Sequence, residues 1–324
     1  MTMKMFRMMA ATAAMAVSLP ASAQNMDKVE VKAEQLAPGV AVLFGAGGNI
    51  GVSYGPDGTV LIDDQFAPLS TKIQMAVADL GATPVRFLIN THWHGDHSGG
   101  NANFGDAGAI IMAHDNVRVR MSKPFTRFDG SAGAASPDVA LPVITYADGV
   151  TLHLNGEDVR VIHMPAGHTD GDSIIHWTKS NVIHMGDLFM LKISFPFVDV
   201  SSGGDVRGFV TAADMVLAMA DDKTKIIPGH GAMATKADLQ NHRNMVADTI
   251  ASVDAGIRAG KTLDQIKAMR PADGYGVDAK GFISADMFVE TIYKTLTAPD
   301  PDDRRSAKAE QADRDDHGSV DHAH

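Results

Sequence analysis

Apolar residues fall in short runs along the first part of the chain: Val40–Phe44, Ile50–Tyr54 and Thr59–Ile62, the last two separated by a Pro56-Asp57-Gly58 turn. Runs of this length broken by turns predict a meander of antiparallel strands between about residues 28 and 66. The period then becomes helical over Ser70–Leu80, with Ser70 as the expected N-cap. After it, Val85–Ile89 reads as a buried strand that runs directly into Thr91-His92.

The middle of the chain repeats the strand pattern at Val150–Leu154, Val159–His163, Ser173–Trp177 and Asn181–His184. His153, His163, His176 and His184 lie on these strands and are read as local hydrogen-bonding groups, not ligands. Helical spacing returns over Val206–Met219 and in the stripe Leu239, Val246, Ile250, Val253, Ile257. Thr262-Leu263-Asp264-Gln265 is a capping-box pattern opening a short helix with Ile266 and Met269, and a last helix carries Phe288, Ile292 and Leu296. Strands, a helix, more strands, then helices imply two sheets covered on both outer sides. The Gly-, Ser-, Pro- and Ala-rich stretch from Met121 to Leu141 is expected to be a long surface loop, either a flap beside a site or a connector.

The ends differ from this body. Residues 1–23 have a positive start (Lys4, Arg7), a short apolar stretch Ala10–Leu19 and a small-residue site Ala21-Ser22-Ala23, the form of a secretory signal. That apolar run is shorter than the roughly 20 residues needed to span a bilayer, so no stable membrane span is expected after signal removal, and the product is expected in the periplasm or secreted. From residue 299 to 324 the chain is densely charged with both signs, and a disordered tail is expected, its His317, His322 and His324 solvated. The domain between them is taken as residues 24–298. With 45% hydrophobic residues in 324, a large core is available. A net charge of −11 argues against a nucleic-acid partner and leaves a small-molecule substrate. There is no cysteine, so neither disulfides nor thiolate ligands are available.

The candidate chemistry begins at His92-Trp93-His94-Gly95-Asp96-His97. Zinc takes imidazole nitrogen and carboxylate oxygen, and histidines two apart on an extended segment can point together. His92 and His94 can hold one ion while Asp96 and His97 turn toward another, with Gly95 allowing the bend between the pairs. A histidine pair is weak by itself. Gly167-His168-Thr169, Gly186-Asp187 and Gly229-His230-Gly231 each add a potential ligand just past a strand. Trp93, inside the run, can wall a pocket or pack beneath it.

Taken in order, THWHGDH, AGHTDGD, MGD and PGHG resemble the metallo-β-lactamase superfamily over about residues 30–297. The resemblance implies an α+β fold, an αβ/βα four-layer sandwich with the site at one edge of two facing sheets. It implies two Zn²⁺ ions: the first on His92, His94 and His168, the second on Asp96, His97 and His230, with Asp187 bridging. Asp63, at the end of Val60-Leu61-Ile62, matches a family aspartate that supports the ligands without joining them.

The expected activity is that of an exported dinuclear zinc hydrolase, in which hydroxide generated at the metals attacks a cyclic amide or ester and Asp96 orients it or relays its proton. The absence of cysteine excludes the lactamase subclasses with a cysteine ligand, and Asp187 in that place resembles glyoxalase II and lactonase-like members. Export favours β-lactams, slightly ahead of lactones. A glyoxalase II-like thioesterase would call for a basic C-terminal surface, whereas Lys261, Lys267 and Arg270 are dispersed among acids. A mono-iron persulfide dioxygenase and a non-catalytic metal-binding module are the remaining alternatives. Specificity is expected from loops at residues 45–49 and 121–141.

Overall fold

The computed structural model describes residues 25–128, 130–278 and 281–298. The expected signal over 1–23 and charged tail over 299–324 lie outside the described residues. In chain order the elements are β1 (Lys32–Ala37), β2 (Val40–Phe44), β3 (Ile50–Ser53), β4 (Thr59–Ile62), α1 (Ser70–Asp79) and β5 (Val85–Ile89). The short helices α2 (Gly95–Ser98) and α3 (Asn101–Asp106) follow, then β6 (Ile110–His114), α4 (Asp115–Met121), β7 (Phe125–Thr126), β8 (Ala132–Gly133) and β9 (Ile144–Tyr146). The second half holds β10 (Gly149–Leu154), β11 (Glu157–Met164), β12 (Asp172–Trp177), β13 (Val182–His184), α5 (Val206–Met219), β14 (Lys225–Ile227), α6 (Lys236–Arg258), α7 (Leu263–Ala268) and α8 (Ala285–Thr297).

One sheet has the order β1-β2-β3-β4-β5-β6-β9, the other β10-β11-β12-β13-β14. The meander β1 to β4 is antiparallel, as are β10 to β13, whereas β4, β5, β6 and β9 run parallel and β14 joins β13 in parallel. The period-2 side-chain alternation divides each strand between two cores. Val40, Val42, Val60 and Ile62 meet Val159, Val161, Ile175 and Trp177 between the sheets. Their neighbours Ala41, Leu43 and Leu61 face outward onto Ile73 and Val77 of α1 and Phe104 of α3. On the other side Ile174, Ile183 and Ile226 pack on Ala212 and Val216 of α5 and Leu239 of α6. The helical layer continues through Val253, Ile266, Phe288 and Ile292. This is the αβ/βα sandwich of the α+β class, and each fully buried Val, Leu or Ile contributes roughly 1.5–3 kcal/mol.

The helix boundaries match the sequence reading closely in the second half. Helix α5 occupies the expected Val206–Met219, and Thr262 and Gln265 form the reciprocal capping box of α7. Ser70 differs from expectation: it is the first residue of α1, not its cap, and its hydroxyl accepts a hydrogen bond from Asn103 Nδ2 at 2.9 Å. The stretch 121–141 is not an open loop throughout, because β7 and β8 pair as a two-stranded ribbon and a single 3-10 turn follows at Asp138–Ala140. Among the described residues no helix is long and apolar enough to cross a membrane.

Candidate metal centre

In a sheet with parallel strands, the crevice outside the carboxyl ends of those strands collects ligand-binding loops. Parallel β4 and β5 end at Asp63 and at Thr91–His97, while parallel β13 and β14 end at Asp187 and His230. His168 is added by the connection from β11 to β12. All seven expected ligands are thereby brought to one edge. Their donor atoms form three overlapping groups, His92/His94/His168, His92/His97/Asp187 and Asp96/His97/His230, each with its atoms within 4.8 Å of one another.

The hydrogen-bond network fixes the imidazole tautomers, since a ring nitrogen that donates outward leaves the other free as an electron-pair donor. His168 Nδ1 donates to the Phe197 carbonyl, and His94 Nε2 donates to Asp199 Oδ2 at 3.0 Å. Their other nitrogens, His94 Nδ1 and His168 Nε2, then face each other at 2.8 Å with lone pairs opposed. His92 Nδ1 donates to Thr91 Oγ1, itself committed as a donor to Asp63 Oδ2, and His92 Nε2 is buried with no hydrogen-bond partner. Three converging lone pairs without protons between them are repulsive and costly to bury unless a cation lies among them. The donor set therefore fits a metal ion.

The second group is held from behind in the same way. His97 Nδ1 donates to Asp63 Oδ2 at 2.7 Å, and His97 Nε2 points to His230 Nε2 at 3.2 Å. His230 Nε2 is also 3.2 Å from Asp96 Oδ2. Asp187 sits between the groups: Oδ1 lies 3.1 Å from His97 Nε2 and 3.4 Å from His230 Nε2, while Oδ2 lies 3.7 Å from His168 Nε2. Asp187 Oδ1 makes no aligned hydrogen bond despite its burial. The two oxygens of Asp187 face different groups, Oδ1 the second and Oδ2 the first.

The two groups differ in charge. Burial holds His92 well below the usual imidazole range, helped by His97 and His168, and brings His168 to about 4. Burial acts in the same direction on His97 and His230, but the Asp187 carboxylate, with other acids, overcomes it and raises His97 well above its usual range and His230 to about 9. Without a metal, protons on His97 and His230 thus supply the positive charge that Asp96 and Asp187 require.

Local backbone shape makes this possible at a few positions. Asp63 adopts φ 64°, a left-handed conformation uncommon for non-glycine residues but more open to aspartate than to most. There its carboxylate accepts the Thr91 N–H at 2.7 Å as well as the Thr91 and His97 donors. The expected role for Gly95 is not required: a Cβ there would enter open space. The glycines that the site does need include Gly48, where a Cβ would collide with the His97 ring, and Gly229, where it would collide with Asp187 Oδ1. His153, His163, His176 and His184 belong to none of the three ligand groups.

Sequence reasoning passed over Asp199, which orients His94, and Asn49, whose Nδ2 donates to the Pro228 and Gly231 carbonyls and so holds the His230 loop. Asp199-Val200-Ser201-Ser202-Gly203 carries only the signal of a turn, which Asp199 does cap by accepting from Ser202 N–H. Trp93 has both suggested roles, packing against the Ala113, Val117, Met121 and Leu141 cluster while its ring meets His94 and Phe125.

Fold and site together define a metal-binding protein of the αβ/βα sandwich class. Residues 44–230 match the metallo-beta-lactamase superfamily, and the chain belongs to it. It is 23% identical over 205 residues to a metallo-beta-lactamase type 2 of Bacteroides fragilis, covering 60% of this chain and 77% of that one. It is 26% identical over 221 residues to a hydroxyacylglutathione hydrolase of Anaeromyxobacter dehalogenans, covering 65% and 76% respectively. Among solved structures, a sec-alkylsulfatase from Pseudomonas superposes with TM-score 0.64 at 15% identity, over 82% of this chain but 50% of the alkylsulfatase. A metallo-beta-lactamase from Pontibacter korlensis superposes with TM-score 0.55 at 16% identity, over 68% of this chain and 100% of that one. At these identities the structural likeness establishes the fold alone.

Proposed function

We propose that this chain is an exported dinuclear zinc hydrolase that opens a cyclic amide or ester. The observation that carries this reading is the position of Asp187, whose two oxygens face different histidine groups. Divalent cations, when bound, acidify water from near 15.7 toward about 7 and polarise the carbonyl under attack. The protein's own contribution is to hold and orient. Asp63, Asp199 and the Phe197 carbonyl lock three imidazoles in the tautomers that present lone pairs to the centre. In the metal-free centre burial pushes the Asp96 carboxyl up, but His97 and His230 pull it down to about 2. With metal in place of those protons, a carboxylate at this position would accept a hydrogen bond that orients the nucleophile. With a third of its side chain exposed, Asp96 is also more open to a substrate than Asp187.

A cleft of about 370 Å³ is lined by Trp93, Phe125, Ser201 and Lys123, and is connected to the centre through Trp93, whose ring meets His94. A lysine there suits a substrate carboxylate, which keeps β-lactams slightly ahead of lactones. Thioesters form the second reading, favoured by a carboxylate ligand at Asp187 and by the hydroxyacylglutathione hydrolase relative. Metal analysis of the purified protein, with turnover of a chromogenic cephalosporin, an acyl-lactone and a glutathione thioester, tests the proposal. Two zinc ions with cleavage of the first or second substrate is the expected outcome. Cleavage of the thioester alone overturns the cyclic-substrate preference, and a loaded centre inert toward all three overturns hydrolysis.

A further inference from the structure

Three phenylalanines from distant parts of the chain meet beside the metal centre. Phe197 stacks on the His94 ring at 5.7 Å and meets the His168 ring at 5.5 Å. Phe128 and Phe282 then meet Phe197 at 5.2 and 5.7 Å and each other at 5.0 Å. Phe197 is partly buried, whereas Phe128 and Phe282 remain 60% and 57% exposed. Large aromatic surface left in water in one contiguous patch marks a place where an apolar group binds.

The backbone holds these rings outward. Buried Ile283 donates its N–H to Ser194 Oγ at 2.8 Å and accepts from Phe195 N at 3.2 Å, and a Cβ on Gly281 would collide with the Ile193 backbone oxygen. Phe282 is therefore flanked by a hydrogen-bonded Ile283 and a closely packed Gly281. Phe128 lies at the tip of the β7–β8 ribbon, closed by the Arg127 N–H to Ser131 O and Gly130 N–H to Arg127 O bonds, each 2.8 Å. The patch is continuous through Phe197 with two of the imidazoles.

We propose that Phe128, Phe197 and Phe282 form the wall that receives an apolar side group, an alkyl chain or aryl ring, on the substrate whose polar bond lies at the metals. This rests on the hydrolase reading only for the word substrate. A hydrolysed ring ends in a carboxylate, so simple carboxylates with tails of increasing length probe the wall without requiring turnover.

The experiment is calorimetric titration of the zinc-loaded full chain with butanoate, octanoate and dodecanoate, repeated on the Phe128→Ala/Phe282→Ala double variant and the corresponding double Leu variant. Affinity should rise roughly two- to fourfold per methylene in the native protein until the wall is spanned. The butanoate-to-dodecanoate ratio of Kd should fall at least tenfold in the double Ala variant and be largely restored by Leu. Both exposed rings lie outside the buried cores, and circular dichroism with metal content establishes that the variants fold. A native ratio near one, or the same ratio in native and double Ala proteins, overturns the proposal. Sedimentation showing a native dimer that the double Ala substitution dissociates also overturns it, assigning the patch to a second copy. A chain-length effect lost in the variant, together with no hydrolysis of any substrate, supports the wall while rejecting the hydrolase reading.

Discussion

Asp63 Oδ2 accepts the His97 Nδ1 proton at 2.7 Å from a backbone held at φ 64°, and its carboxylate also anchors the N–H and hydroxyl of Thr91, next to His92. One buried carboxylate thus orients the loop that supplies ligands to both groups. Asp63→Asn replaces one acceptor oxygen with a donor amide facing N–H or O–H groups. Metal affinity should fall about ten- to a hundredfold, read by competition with a chromophoric chelator, with the circular dichroism spectrum retained. Native affinity in this variant would show that Asp63 only shapes the turn.

The opposed lone pairs of His94 Nδ1 and His168 Nε2 predict that metal stabilises the fold as well as equipping it for chemistry. At a thousandfold excess of zinc over Kd the gain is about 4 kcal/mol, which for a chain of this size raises the unfolding midpoint by roughly 6 °C. Scanning calorimetry before and after chelation measures it. Equal midpoints would mean that the imidazoles share protons, not a cation.

Asp96 reaches the second group from the helix α2, whereas His92, His94 and His168 form the first without it. On the proposed dinuclear hydrolase reading, Asp96→Asn should lower bound metal from two ions to one and reduce kcat/KM by at least about a hundredfold. Metal analysis beside steady-state kinetics separates the two effects. Two ions and native turnover in the variant would remove Asp96 from both roles.

Asp172 gives an unusual pH dependence. Burial lifts its carboxyl from 3.8 to about 8 against the lowering effect of hydrogen bonds from Thr169 Oγ1 and N–H. The folded chain then binds a proton that the unfolded chain has released, so this group's stabilisation is complete below 3.8 and is lost as pH rises toward about 8. The difference in thermal midpoint between native protein and Asp172→Asn, followed in metal-free protein across that window, should change in this sense. Parallel curves would place the proton elsewhere.

Gly229 has no space for a side chain, because its Cβ would strike Asp187 Oδ1 and approach the Gly186 carbonyl carbon to 2.6 Å. Gly229→Ala should cost about 1–3 kcal/mol and displace the carboxylate between the two groups, with loss of bound metal. Denaturant unfolding and metal analysis both report on it. Gly95→Ala, facing open space, is the matched control.

Much of this was legible along the chain because the information was local. The apolar run at Val40–Phe44 announced a strand, Thr262 and Gln265 announced the start of α7, and each ligand occurred just past an apolar run. Spacing within Thr91–His97 could be read because two neighbouring residues are never far apart. Ser70 and Gly95 were misread because cap chemistry and chain bending are settled by neighbours such as Asn103, which arrives from 33 residues away.

The sequence by itself determined which donor atoms exist, that no thiolate is among them, and which strand ends carry them. Only the tertiary structure decided which nitrogens are lone pairs, since that follows from Asp63, Asp199 and the Phe197 carbonyl lying behind the rings, up to 105 residues from the histidine they orient. It likewise decided that Phe128, Phe197 and Phe282 meet. The physical reason is common to both: hydrogen bonding and ring contact depend on distances of a few ångströms, and no local pattern in a chain encodes a distance across a closed sandwich.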